Sequence, residues 1–193
     1  MWKAFLVLIV LTSCSFGTRV AEAASFEAKD FSALATEADQ IVIGTVATTS
    51  ARRTGAREIV TDYRFDKLEV VKGTVSNSSL TLTMLGGSVG NDKLSVVGAP
   101  TFKRGARYLV FVTGNGTVMF PLVGGDQGIF QIRGDPLSGV PRVHDYAGRA
   151  VTRLPDRAII SELSLQNEGP GEPMSQTAFV DAIRAKVIER STR

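Results

Sequence analysis

The chain has 193 residues, of which 44% are hydrophobic and 21% charged, and its formal net charge is +3. The length is sufficient for one ordinary domain with a hydrophobic core, and the composition is that of a globular protein rather than a disordered one. The basic pairs Arg52-Arg53 and Lys103-Arg104 are the longest runs of like charge. With so small a net charge they predict solvated surface, so we expect no nucleic-acid partner.

The N-terminal stretch MWKAFLVLIVLTSCSFG has a single lysine and an apolar run that is too short to span a membrane. The small-x-small sequence Ala21-Glu22-Ala23 follows it and is typical of a signal-peptidase site. We therefore predict a secretory signal peptide over residues 1–23 and an exported protein of the periplasm or the extracellular space. The alternative is a lipobox ending at Cys14, which would then be acylated and anchor the protein as a lipoprotein.

Cleavage after Ala23 removes Cys14, the one cysteine of the sequence. An exported domain without disulfides must be held together by its core, which fits a bacterial envelope better than an animal extracellular space. The tripeptides Asn77-Ser78-Ser79 and Asn115-Gly116-Thr117 match the glycosylation pattern. That pattern has meaning only in a compartment that glycosylates it.

Beyond the leader, the sequence predicts a short helix and then a series of strands. The helix covers residues 29–40, because Asp30 can cap it and Phe31 and Leu34 lie on one face. From there to about residue 151, short runs of β-branched and aromatic residues alternate with Gly, Asn and Pro, as in a sandwich or small barrel. The predicted strands cover residues 41–51, 57–73, 79–85, 93–100, 106–114, 118–124 and 128–134, with an edge hairpin at 141–148.

The second predicted strand contains a phase slip. Tyr63 and Phe65 alternate with charged residues, and the apolar set then shifts by one position to Leu68 and Val70. One extra residue near Asp66-Lys67 would produce this slip as a β-bulge, which lets a strand bend sharply. We therefore favour a small barrel over a plain sandwich and expect Phe65 and Leu68 to face the same apolar interior.

The C-terminal part is organised differently. The segment SLQNEGPGEPM predicts a linker or exposed loop at 164–174, after a β domain at 24–163. Ser175 can cap a helix over 175–193, in which Phe179, Ile183 and Val187 recur every four residues. This stripe either covers the core of the β domain or docks a partner, and covering a core is the usual role of such a helix.

Several stretches, in this order, resemble the netrin-like OB-fold domain of tissue inhibitors of metalloproteinases. They are ADQIVIGTV, DYRFDKLEVVKG, LTLT and RGARYLVFVTGNG, and the matching positions are Ala38-Asp39, Lys72-Gly73 and Tyr108-Leu109. The chain also resembles a set of uncharacterised exported bacterial proteins. With the predicted helices, the resemblance implies a mainly β fold, a small OB-like (netrin-like) barrel with a short N-terminal helix and a C-terminal helix.

In the tissue inhibitors, a disulfide-pinned N-terminal cysteine places its α-amine and carbonyl on the zinc of the protease. This chain lacks that cysteine, but its predicted mature N-terminus, Ala24-Ser25, lies a similar short distance before Ala38-Asp39. A free α-amine can still be a zinc ligand. The resemblance therefore implies a protein partner, with a metalloprotease as one candidate.

Residues 86–90 fit the G-x-S-x-G nucleophile elbow around Ser88, and Asp126 and Asp135 precede His144, the one histidine, in the order serine, acid, histidine. An elbow needs a helix packed behind the serine, whereas a strand is predicted to follow it here. We therefore expect Ser88 to lie in a glycine-rich loop and the protein not to be an enzyme.

Neither a metal nor a cofactor is expected. One histidine and no mature cysteine exclude the usual zinc site, and neither glycine-rich loop continues as a phosphate-binding loop. Asp62, Asp66 and Glu69 alternate with cations along one strand face, which is typical of cross-strand pairing rather than acid-base chemistry.

These features predict an exported, non-enzymatic binding module for a protein or a cell-envelope component. The alternatives are a metalloprotease inhibitor acting through the mature N-terminus and a serine hydrolase using Ser88. In OB-like domains, ligands meet one barrel face and its bordering loops. The candidate binding residues belong to the mature N-terminus and two glycine-rich loops: Ala24, Ser25, Gly86, Gly87, Ser88, Val89, Gly124, Gly125 and Asp126.

The two cleavage sites predict different mature proteins. We expect the intact mass of the protein recovered after export to correspond to a chain that begins at Ala24 with a free amine. A chain that begins at an acylated Cys14 would contradict this expectation and would establish the lipoprotein. Mass spectrometry of the purified protein distinguishes the two.

Overall fold

The computed structural model describes residues 27–154 and 171–191. The predicted signal peptide with Cys14, the residues Ala24 and Ser25, and most of the predicted linker lie outside this part. The described chain is mainly β, with a helix near each end. Its elements are α1 Phe31–Glu37, β1 Gln40–Arg53, β2 Ile59–Lys72, β3 Leu80–Leu85, β4 Gly87–Val89, β5 Asp92–Leu94, β6 Arg107–Val112, β7 Ile129–Gly134, β8 Pro141–Asp145 and α2 Gln176–Ser191.

Six strands form one antiparallel sheet in the order β3-β2-β1-β6-β7-β8, and β4 pairs with β5 in a separate hairpin. β1 lies near the middle because its first half pairs with β6, from Gln40 opposite Val112 to Thr45 opposite Arg107. The second half of β1 pairs with β2 alone. The described strands therefore form an open sheet that ends at β3 on one side and at β8 on the other.

Both faces of the central strands are buried. Ile41 and Ile43 of β1 pack with the two helices on one face. Val42 and Val46 pack into a second apolar cluster on the other face, which we call the inner cluster. In the helix-side cluster, the ring of Phe179 lies 5.3 Å from that of Phe31. The stripe predicted on the C-terminal helix thus covers the sheet, which confirms the usual role of such a helix.

Phe102 fills the centre of the second cluster. Its ring meets the rings of Tyr63, Phe65 and Tyr108 edge to face, at centroid distances of 5.1, 5.2 and 5.1 Å. Phe102 belongs to the connection between β5 and β6, so this loop covers the concave side of the curled strands. Such edge-to-face contacts stabilise beyond simple area burial.

The phase slip is a β-bulge, as predicted. Between the pairs Ile43 with Glu69 and Thr45 with Asp66, β2 advances one residue more than β1. Lys67 absorbs the turn with a positive φ of 54°. Phe65 is fully buried, and Leu68 packs on the same cluster although the two are an odd number of residues apart. The bulge therefore turns both side chains to one interior.

The predicted helices, the long strands and the edge strand β8 are confirmed, but three local predictions were wrong. Residues 118–124 form no strand beyond a single bridge of Leu122 to Val112, made by Thr113 N to Pro121 O and by Val123 N to Phe111 O. Pro121 has no N–H with which to extend this pairing. Of the predicted strand 93–100, only Lys93 and Leu94 lie in a strand, β5. Conversely, Gly87–Val89 is strand β4 rather than a loop.

Gly44 lies where the bulge brings the two long strands closest together. A Cβ on Gly44 would lie 2.8 Å from Leu68 Cδ2 and 3.1 Å from Phe65 Cβ. Gly44→Ala should therefore lower the free energy of unfolding by about 1–3 kcal/mol, as overpacked cores do. Urea unfolding measures this. The control is Gly55→Ala in the β1–β2 turn, where the nearest atom would lie at 3.6 Å. Equal effects of the two substitutions would contradict the close packing at the bulge.

Candidate functional site

The ends of α1 and β2 are joined by one ammonium group. Lys72 Nζ donates to the carbonyl oxygens of Ala35, Thr36 and Ala38 at 2.9, 3.1 and 2.7 Å. These carbonyls lie at the C-terminal end of α1, where helices leave carbonyls without intrahelical partners and where a cation is favourable. A side chain on the next residue, Gly73, would collide with Asp39 O. Lys72 and Gly73 therefore fix the end of β2 against the C-terminal end of α1 and the start of β1.

The segment 113–124, between β6 and β7, lies along the open edge of β3; we call it the strap. Asn115 Nδ2 donates to Thr81 O at 2.8 Å, and Leu85 N donates to Met119 O at 3.1 Å. At its beginning, Gly114 N donates to Asp39 Oδ2 at 2.8 Å. The strap thus occupies hydrogen-bonding groups on β3 and fastens its own start to the start of β1.

A groove of about 480 Å³ opens between the strap, the β2–β3 loop and the start of β1. Its volume falls within the range of small-ligand pockets, about 300–1,000 Å³. Asn77 and Ser76 are exposed and Ser79 is half-buried, and the side chains of all three lack hydrogen-bond partners within the described chain. The lining consists of Asp39, Gln40, Val75, Ser76, Asn77, Ser79, Leu80, Thr81, Val112, Gly114, Asn115 and Thr117.

The predicted binding loop around Ser88 lies at the other end of the sheet. Ser88 is exposed on β4, opposite Lys93, and β4 follows the end of β3 where Leu85 pairs with Val60. Gly87 and Val89 flank it on the same strand. The backbone of Gly86 is hydrogen-bonded within the chain. Its N–H donates to Ile59 O at 2.7 Å, and its carbonyl oxygen accepts from Thr61 Oγ1 at 2.7 Å.

The second predicted loop lies at the same end of the sheet as the groove. Gly124 precedes a 3₁₀ turn at Gly125–Gly128, in which Gly125 is buried and Asp126 exposed. The turn leads into β7, whose first residues pair with the end of β6. The antiparallel pairing therefore separates this turn from Ser88, and the structure does not bring the two loops together.

Gln127 attaches the first described residues to this turn. Its Oε1 accepts from Lys29 N at 2.8 Å, and its Nε2 donates to Glu27 O at 3.1 Å. The backbone two to four residues after Ser25 is thereby fixed beside the turn. Gln127 is a positioning residue that the sequence patterns did not single out.

Ser88 and His144 lie on different parts of the sheet. β4 packs on β1 and β2, whereas His144 belongs to the edge strand β8. Partial burial and the nearby charge of Arg133 lower the pKa of His144, so the imidazole is neutral at neutral pH. Its Nδ1 is buried, with no hydrogen-bond partner in the described chain. Asp126 and Asp135 form no hydrogen bond with His144.

The three carboxylates of β2 have structural partners, but only Asp62 makes the predicted pairing with neighbouring strands. Arg52 Nε donates to Asp62 Oδ2 and Thr83 Oγ1 to Asp62 Oδ1, each at 2.6 Å. Asp66 accepts from Arg64 at 3.0 Å, and Glu69 accepts from the side chains of Arg107 and Gln176. Within residues 27–154 and 171–191, no group of His, Cys, Asp and Glu side chains is arranged to hold a metal ion.

Comparisons of the chain with protein-family models, with characterised proteins and with solved structures found no match. Among the described helices, none is both long enough and apolar enough to cross a membrane. The candidate site therefore rests on the geometry of the groove.

The groove itself was not predicted from the sequence. Its lining comes from three segments that lie far apart along the chain, at 39–40, 75–81 and 112–117. The available signal was the pair of Asn-x-Ser/Thr tripeptides at 77–79 and 115–117, both of which line the groove. Two polar tripeptides in loops do not reveal that those loops are neighbours.

Asp62 provides a pH-dependent test of the β2 pairing. Partial burial raises its pKa, but the hydrogen bonds from Arg52 and Thr83 and the charge of Arg52 outweigh burial and lower it. A carboxylate with a lowered folded pKa stabilises at neutral pH, and this contribution is lost as the pH falls through that pKa. Asp62→Asn should therefore cost about 1 kcal/mol at pH 7 and almost nothing in strong acid.

Urea unfolding of both proteins at neutral and at acid pH measures the difference. The control is Asp126→Asn, because Asp126 is exposed and its side chain makes no hydrogen bond in the described chain. A cost for Asp62→Asn that persists unchanged in acid would show that the ion pair is not its origin.

Proposed function

We propose that the chain is an exported, non-enzymatic binding module built on an OB-like, netrin-like barrel. The strand order supports the fold. β6, the fourth strand of the main sheet, returns by a long connection to lie beside β1, giving the order β6-β1-β2-β3. This is the Greek-key order, and the OB-fold is a partly open Greek-key barrel.

The bend and the strap support the same proposal. The bulge at Lys67 lets β1 and β2 contribute to a curled inner face, which is filled by Phe65, Phe102 and neighbouring apolar residues. The strap lies along the β3 side, where such a barrel is open, and Phe120 of the strap packs on the inner cluster. A long loop in this position is typical of the ligand-binding side of OB-folds.

The observation that carries the binding function is the polar groove beside the strap. It is accessible and of ligand size, and three side chains of its lining, Ser76, Asn77 and Ser79, have no hydrogen-bond partner within the described chain. Ser76 and Asn77 are exposed to water, and with the Asp39 carboxylate they offer a polar ligand hydrogen bonds in exchange for those to water. The ligand is a protein or a component of the cell envelope.

Ser88→Ala tests the enzyme alternative. Ser88 is exposed, and neither a hydrogen-bonded base nor a following helix accompanies it. We therefore expect Ser88→Ala to bind to envelope extract as the wild type does. We also expect the two proteins to show the same level of ester hydrolysis. The assay pairs pull-down from envelope extract with hydrolysis of a chromogenic ester. Hydrolysis by the wild type that disappears in Ser88→Ala would overturn the non-enzyme proposal.

A second candidate function is metalloprotease inhibition through the mature N-terminus. Gln127 favours it, because its amide holds the backbone of Glu27 and Lys29 without a disulfide. Backbone that is already held at Glu27 loses less entropy when a segment before it binds a metal.

This candidate predicts two losses of inhibition. One residue added before Ala24 should abolish inhibition, because it displaces the amine. Gln127→Ala should raise the inhibition constant about tenfold, the effect of losing roughly two hydrogen bonds. Gln131→Ala on β7 is the control, since the Gln131 side chain bonds only to Arg133 within the described chain. Inhibition of a zinc protease that survives the added residue would exclude the N-terminal mechanism and leave the binding module intact.

A further inference from the structure

We infer that the groove beside the strap binds a neutral, hydroxyl-rich glycan rather than a peptide or an acidic polymer. This inference rests on the proposed binding function and names the chemistry of its ligand. It follows from three observations: the charge of the lining residues, the lining side chains that have no hydrogen-bond partner in the described chain, and the hydrogen bonds of the strap to the edge of β3.

The charge of the lining argues against an anionic ligand. Asp39 is the one ionisable side chain among the lining residues, and no lysine or arginine lines the groove. Phosphate and carboxylate groups are bound by cations or by arrays of backbone N–H groups. An acidic polymer would meet a carboxylate and no compensating charge. A neutral ligand with hydroxyl donors suits Asp39 instead.

Asp39 is held in position for such a ligand. Gly114 N–H donates to its Oδ2 at 2.8 Å, and Asp39 N donates to Val112 O at 2.8 Å. The side chain is exposed and its Oδ1 has no partner within the described chain. A fixed carboxylate oxygen accepts hydrogen bonds from hydroxyl groups without first losing side-chain entropy.

The remaining lining matches both surfaces of a sugar ring. Asn77, Ser76 and Ser79 supply hydrogen-bonding groups that have no partner in the described chain. Val75, which is half-buried, supplies apolar surface in the same groove; Leu80 also lines it but is only 6% exposed. A saccharide presents hydroxyl groups around its rim and C–H groups on its faces, so it can use both kinds of lining.

The sheet edge argues against an extended peptide. Peptides commonly bind by adding a strand to an exposed edge. Beside this groove the edge belongs to β3, and the strap already bonds to it through Asn115 to Thr81 O and Leu85 to Met119 O. A peptide strand would have to displace the strap, whereas a glycan needs only the side chains that face the groove.

The test uses NMR titration of protein purified from cells that express the full chain. The probes are a neutral N-acetylglucosamine tetrasaccharide, a neutral glucose tetrasaccharide and an anionic galacturonic acid tetrasaccharide, each at millimolar concentrations. We expect at least one neutral probe to shift the amide resonances of Asn77, Ser79 and Asn115, and the anionic probe to leave them unchanged.

A matched pair of double variants localises the binding. Asn77→Ala with Ser79→Ala should weaken binding of the neutral probe about tenfold, as expected for two lost hydrogen bonds. The control is Asn91→Ala with Ser50→Ala, which removes the same two side-chain types from exposed positions that do not line the groove. The control should bind as the wild type does.

Three results would overturn the inference: no shift with either neutral probe, equal binding of the anionic probe, or equal binding by the two double variants. Pull-down from envelope extract separates this failure from that of the binding function. A protein retained by the wild type but not by the groove variant would overturn the glycan and support the binding module. Retention that is identical in both variants would overturn the groove as the binding site of the module.

Discussion

The contact of Lys72 with the end of α1 is the constraint on which this end of the molecule depends. One ammonium group satisfies three carbonyls that the helix leaves open, and it comes from the last residue of β2. Strand β2, helix α1 and the start of β1 are thereby fixed together. The β2–β3 loop must then leave the sheet at Gly73, directly beside Asp39, so the groove forms where these elements meet.

The bulge at Lys67 has a complementary role at the middle of the same strand. Without the extra residue, Phe65 and Leu68 would face opposite sides of the sheet. With it, β2 keeps its first half around the inner cluster and carries Lys72 to the helix side. Gly44 permits this arrangement because the facing strand has no side chain at the point of closest approach. The bulge therefore determines both the bend of β2 and the position of Lys72 against α1.

Local signals predicted these elements well, and long-range packing explains the rest. Asp30 caps α1 by accepting from Ala33 N at 2.6 Å, and the phase slip revealed the bulge, because both depend on residues close in sequence. The apolar run at 118–124 was misleading. Phe120 and Leu122 pack on the inner cluster from an irregular strap, since neighbouring segments, not the sequence pattern, decide whether a ladder forms. The groove had only the two Asn-x-Ser/Thr tripeptides as local signals, and these do not show that their loops are neighbours.

The glycine-rich loops also show that a local sequence pattern does not reveal long-range packing. The sequence predicts these loops as ligand-binding positions, but other parts of this chain already lie close to their glycines. A side chain on Gly87 would collide with Thr61 Oγ1, and one on Gly128 would collide with Val123 O. Glycine at these positions is therefore required by internal packing, whether or not a ligand binds. The free polar groups of Asn77, Ser76 and Ser79 have no such internal explanation, and for that reason they are the stronger indication of a binding site.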